Sequence, residues 1–268
     1  MANEELLKQK TKNLLDTLSF KEPDKIIIGI GASYWPFGYA GVKYKNIVDD
    51  PIATAAAHTK YLDDIEVDFT FLGTMAPIRT YEAVNSKEYT FGPDDSTIQH
   101  NQTELGFMSA DEYDHLIRDY KDFVQNVALK RRFPILAASR KEAYEGIKRA
   151  AIAQRTFMKA GELINKRFLE KGVRSIMAGG PNMAPRWYSP LATLFTRLRG
   201  MKDSLVDLRK RPDKVRAATA AIRANIAPPA ITPDAYLTRE AYPLSQTIYH
   251  CECFLSPAQF DEFFFKGF

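Results

Sequence analysis

Short β-branched runs separated by long helical stretches constrain this chain more than any other feature. Residues 25–30 (Lys-Ile-Ile-Ile-Gly-Ile), 67–72, 173–178 and 244–254 read as strands. A helix precedes the first, with Leu6, Leu7, Leu14, Leu15 and Leu18 at helical spacing. Another is expected over 51–62, with Pro51 in its first turn. Ser109 and Glu112 form a capping box that opens a helix to about residue 129, and a much longer helix is expected over 139–170. Helices over 190–209 and 212–225 follow, and a last one runs from Ser256-Pro257 to the end. Tyr89-Thr90-Phe91 and residues 96–99 flank Gly92-Pro93-Asp94-Asp95 as a β-hairpin. Strands alternating with helices predict an α/β fold with parallel strands in a single domain over 1–268.

The strand count falls short of a closed eightfold barrel. Phe263, Phe264, Phe265 and Phe268 crowd the terminus without a cap and call for a partner to bury them. The chain is therefore expected to be incomplete.

Composition excludes several classes. Lys plus Arg is 37 against 33 Asp plus Glu, and the resulting +4 is too small for a nucleic-acid binder. The basic cluster Arg209-Lys210-Arg211 reads as a helix C-terminus, where cations are favoured. Cys251 and Cys253 are too close for a disulfide framework. The N-terminus lacks a signal-peptide pattern, and no apolar run reaches the roughly 18–20 residues that span a bilayer. A soluble, cytoplasmic chain is expected, with neither nucleic acid nor membrane as a partner.

Leu198-Arg199-Gly200-Met201-Lys202, then Asp207 and Arg211-Pro212-Asp213-Lys214-Val215, resembles the central segment of the uroporphyrinogen decarboxylase superfamily. Phe254-Leu255-Ser256-Pro257-Ala258-Gln259-Phe260-Asp261-Glu262-Phe263 resembles a helix start after a mid-barrel strand there. Asp49-Asp50-Pro51 and Asp68-Phe69-Thr70-Phe71-Leu72 match its early part. The resemblance implies a (β/α)8 TIM-type barrel, present as its first half with an N-terminal helix and the hairpin. It also implies an enzyme acting on a tetrapyrrole or a corrinoid (cobalamin) at the C-terminal mouth of the strands.

Within that resemblance, residues 31–39 lack the arginines with which true decarboxylases grip propionate carboxylates. Their aspartate after the second strand falls here on Met75 or Phe71, their tyrosine on Thr196, and Asp68 lies at the wrong end of its strand. The methyltransferase branch is therefore the leading expectation: methyl transfer to or from a corrinoid cofactor or corrinoid protein. Decarboxylation in porphyrin biosynthesis is the alternative, and a non-catalytic partner module, stabilised in a homodimer through the aromatic terminus, is a third. A zinc site is not expected from His250-Cys251-Glu252-Cys253, because strand alternation places the two cysteines on one face and His250 with Glu252 on the other.

Several residues are candidates for the site. Tyr34 and Trp35, with Tyr39, form an aromatic cluster that offers either a flat platform for a macrocycle or a hydrophobic plug. Arg186 beside Trp187 either anchors an anionic group or belongs to a surface loop. His100 and His250 are the candidates for proton work, with a turn-stabilising role the alternative for His100. His58 and His115 read as exposed or satisfied helix side chains, and Asp63 and Asp64 as a cap or salt bridge. Gly29-Ile30-Gly31 is no dinucleotide loop, because Tyr34 occupies the third glycine position.

Overall fold

The computed structural model describes residues 2–72, 75–101, 106–175, 186–226, 246–248 and 252–267. Strands β1 (Gly29–Ala32), β2 (Phe69–Leu72) and β5 (Arg174–Ser175) form a parallel sheet in the order β1-β2-β5, with Gly29 opposite Phe69 and Phe69 opposite Arg174. The connections carry helices α4 (Pro51–Thr59) and α9 (Arg140–Glu170), which pack against each other. Alternation along β1 and β2 turns Ile30, Ala32 and Thr70 toward the helices. There Ala32 joins Ala55, Tyr61, Leu62, Val67, Ile164, Phe168 and Val173 in one core. Gly29 lies on the other face, where the Phe69 ring crosses it and leaves no space for a Cβ.

The first strand begins later than the isoleucine run predicts. Ile26 and Ile28 are 88% and 50% exposed, ahead of the ladder. The Ile28 N–H donates to the Asp68 carboxylate at 2.8 Å, and the Ile28 carbonyl accepts from the Asp68 N–H at 2.9 Å. Lys25 pairs with Asp68 at 3.1 Å, and Lys10 of α1 (Ala2–Leu18) donates to the Val67 carbonyl at 2.6 Å. Asp68 thus closes the N-terminal end of the sheet.

A second, helical core lies on α6 (Tyr113–Arg118), α7 (Tyr120–Phe123), α10 (Pro190–Thr193), α11 (Met201–Lys210) and α12 (Pro212–Asn225). Two expected helices are broken here. The one over 109–129 keeps its Ser109–Glu112 box but bends at Asp119, whose carboxylate accepts from the Asp122 N–H at 3.0 Å. A π-turn over Val124–Ala128 then leads into α8 (Leu129–Arg132). The one over 190–209 passes through a π-turn and breaks at Gly200, which has φ +84°. The Phe107 N–H donates to the Leu198 carbonyl at 2.6 Å, so a distant segment fixes the break. Gly106 is required there, since a Cβ would sit 2.8 Å from the Arg199 carbonyl oxygen.

The motif that carried the family resemblance is structural. The buried Asp207 carboxylate accepts from Arg199 at 2.8 Å, from Arg211 at 2.7 Å and from the Tyr113 hydroxyl at 3.1 Å. The terminal aromatics also find their partner inside the chain: Phe263 and Phe264 are 4% and 6% exposed in the helical core, whereas Phe265 is 66% exposed. This corrects the expectation of an unpartnered aromatic end.

β3 (Tyr89–Phe91) and β4 (Ile98–His100) form the expected hairpin. β6 (Arg186–Tyr188) pairs in parallel with β7 (Gln246–Ile248), while Glu252–Phe254 is a 3₁₀ turn and not the end of a strand. The rest of the strand expected over 173–178 lies outside the described residues. The molecule is thus a mostly helical α/β protein whose strands, among the described residues, do not close into a barrel. No helix among them is long and apolar enough to cross a membrane.

Candidate functional site

Past the C-terminal end of β1 the chain turns into a short helix, α2 (Trp35–Tyr39), where the sequence predicts a loop. Pro36 in its first turn favours helix entry. Helical spacing divides the aromatic cluster. Tyr34 and Phe37 turn inward onto Tyr44, with ring centroids 5.4 and 4.6 Å from it. The Tyr34 hydroxyl accepts from the Ala76 N–H at 2.7 Å, and burial pushes its pKa up to about 12. Tyr34 is therefore half-buried, its ring packed against this core and its hydroxyl tied to the backbone.

Trp35 and Tyr39, one turn apart, face outward at 38% and 41% exposure. The Trp35 Nε1–H donates to the Gly31 carbonyl at 2.6 Å, and its ring lies 4.9 Å from the buried Tyr61. Tyr39 meets Trp35 edge-on at 6.3 Å and donates its hydroxyl to Asp64 at 2.7 Å. That hydrogen bond raises the Tyr39 pKa, so the phenol stays protonated and serves as a donor. These contacts hold an aromatic ledge at the strand's C-terminal end. Tyr61 escaped the sequence reading, and Asp64, read there as a cap or salt bridge, holds Tyr39; Asp63 pairs with Arg167 and Lys171 at 3.2 and 2.6 Å.

Beneath the ledge sits His58 of α4, fully buried between Phe37 and Phe168 at 5.6 and 6.3 Å. The Ala32 and Ser33 backbone faces the ring and favours its protonated form, yet neither ring nitrogen reaches hydrogen-bond geometry. Burial dominates and lowers the pKa to about 4. This corrects the reading of His58 as exposed or satisfied, whereas His115 is satisfied by Asp122 at 2.7 Å. The signal available was helical phase, because His58 shares a face with Ala55 and Leu62.

His58 makes stability pH-dependent. The unfolded side chain binds its proton near pH 6.5 and the folded one near pH 4, so stability is fully present above pH 6.5 and is lost as pH falls through this window. The loss is on the order of 3 kcal/mol. In denaturant titrations at pH 7 and pH 4.5, His58→Leu should reduce the difference in midpoint; an unchanged difference would contradict the assignment.

The other candidates belong to other elements. His100 belongs to the hairpin, its exposed ring stacked on Tyr89 at 4.6 Å and 8°. Arg186 and Trp187 are placed in β6 by their backbone alone. His250 and Cys251 lie outside the described residues, and Cys253 is exposed and free. Thr196 is buried, its hydroxyl donating to the Ala192 carbonyl at 2.7 Å. No family model, curated protein or solved structure matches this chain.

Proposed function

We propose that this chain carries the first strands of a (β/α)8 barrel of the uroporphyrinogen decarboxylase superfamily and takes part in methyl transfer to or from a corrinoid cofactor or corrinoid protein. The observation that carries the reading is the aromatic ledge directly after β1, in a sheet whose parallel strands follow chain order with helices between them. Enzymes built on such barrels place their sites at the C-terminal ends of the strands.

The ledge suits a flat macrocycle. Trp35 offers a half-exposed ring backed by Tyr61, and Tyr39 offers an apolar face with a polar tip. A bound corrinoid would supply the cobalt that carries the methyl group. Trp35 packs the macrocycle and excludes water from one side of it, and Tyr39, held by Asp64, keeps its proton and orients the ring edge. His100, the candidate for proton transfer, is exposed on the hairpin, and Arg186, the candidate for anchoring an anionic group, belongs to β6. The arginine-free loop favours this reading over decarboxylation.

Methylcobalamin binding, measured by equilibrium dialysis, should weaken roughly tenfold in Trp35→Ala, the equivalent of about 1.4 kcal/mol of lost aromatic contact. Equal binding by wild type and variant would remove the ledge from the site. Conversion of uroporphyrinogen to coproporphyrinogen by the purified chain would replace methyl transfer with decarboxylation.

A further inference from the structure

The outer face of α9 repeats apolar residues at coiled-coil spacing, and most of them are left exposed. Tyr144, Ile147, Ala151 and Met158 occupy successive a and d positions, and Tyr144, Ile147 and Met158 are 65%, 50% and 57% exposed. The remaining d position, Gln154, accepts from the Thr80 hydroxyl at 3.2 Å and turns toward α5 (Ile78–Ala83). Alongside this seam the e positions are Lys141, Lys148 and Arg155, all exposed and without an ion pair among the described residues. The opposite face of α9 is already committed, with Gly146 against Ile135, and Ile164 and Phe168 in the sheet core. From Tyr144 to Met158 the seam is roughly 21 Å long at 1.5 Å per residue.

We infer that this face is a docking site for an acidic amphipathic helix of a second protein, which would lay its apolar stripe on the seam and its carboxylates against Lys141, Lys148 and Arg155. A charge row at e positions selects the partner by its complement. The α9 helix of a second copy lacks that complement. In an antiparallel self-pair centred on Ala151, Lys148 would face Arg155. The outermost match, Lys141 with Glu162, would compete with the existing Lys159–Glu162 pair at 3.1 Å. In a parallel self-pair Lys148 and Arg155 would face Ala143 and Ala150, which carry no charge. A membrane surface fits less well, because the cations line one side of the seam and do not flank it. The site is separate from the ledge, and its test is independent of corrinoid binding.

The test uses a labelled three-heptad synthetic helix with leucine at a and d and glutamate at e and g, and a twin with lysine in place of glutamate. Fluorescence anisotropy with the full chain should show binding of the glutamate helix, weakened by added salt. Lys148→Glu combined with Arg155→Glu should weaken it at least roughly tenfold and admit the lysine twin. Both positions are exposed, so an unchanged thermal transition checks that the variant folds. Failure of either helix to bind, equal binding of both, or indifference to the charge reversal would overturn the proposal. Binding of the face to phosphatidylserine vesicles in place of the peptide, or a dimer of the chain abolished by Met158→Asp, would also overturn it.

Discussion

Asp207→Ala should lose about 3–5 kcal/mol of folding stability. The carboxylate is fully buried and takes hydrogen bonds from Arg199, Arg211 and Tyr113. Arg199 is itself 11% exposed and also donates to the Met108 carbonyl at 3.1 Å. It thereby ties α11 to the segment ahead of α6. Burial and the neighbouring carboxylate push the Tyr113 phenol upward, so it remains a donor across neutral pH. Removing Asp207 leaves the buried Arg199 guanidinium with the half-exposed Asp203 carboxylate, at 2.5 Å, as its counter-charge. It also strips the buried Tyr113 hydroxyl of its acceptor, so the size of the effect comes from a broken buried network. Arg211 is 41% exposed at its side chain, so Arg211→Ala should cost no more than about 1 kcal/mol. Denaturant midpoints for the two variants separate the cases. Similar small losses for both would mean that water reaches Asp207 and that the motif is not a buried clamp.

Phe263→Ala should cost about 3–5 kcal/mol, by loss of burial and the cavity left behind. Its ring is 4% exposed in the core built from α6, α10 and α12, with the Arg216 guanidinium 5.7 Å from its centroid. Phe265→Ala, at a residue 66% exposed, should stay within about 0.5 kcal/mol. Because Phe263 is buried within its own chain, its loss should not depend on protein concentration. A concentration-dependent effect would return the terminal aromatics to an interface between copies.

Elements written into local chemistry were legible in the sequence. The helix α9 starts after Ser139, where it is expected, under a box made with Glu142, and α12 begins at Pro212. The hairpin forms around its Gly-Pro-Asp-Asp turn. What escaped was decided by contacts distant in sequence. The helix break at Gly200 depends on Phe107, and the late start of β1 depends on Asp68, forty residues on. No window of periodicity contains those partners.

The site was legible as composition but not as orientation. The aromatic cluster after β1 is where the structure places the ledge, yet α2 turns Tyr34 against the core and leaves Trp35 and Tyr39 outside. Asp64 and Tyr61, which hold the ledge in place, come from the 3₁₀ turn that follows α4 and carry no sequence signal of that role. His58 is one imidazole within a helix, and only its shared face with Ala55 and Leu62 indicates burial.

The most direct test of a corrinoid-binding ledge is thermal unfolding of the chain with and without methylcobalamin, beside Trp35→Ala. A ligand that binds the folded state alone stabilises it by about 2.7 kcal/mol at a hundredfold excess over Kd. At roughly 2–4 °C per kcal/mol for a chain of this size, the wild-type transition should rise by about 5–10 °C. Trp35→Ala should show a clearly smaller rise at the same concentration. A cooperative transition that methylcobalamin leaves unmoved would contradict corrinoid binding by this chain.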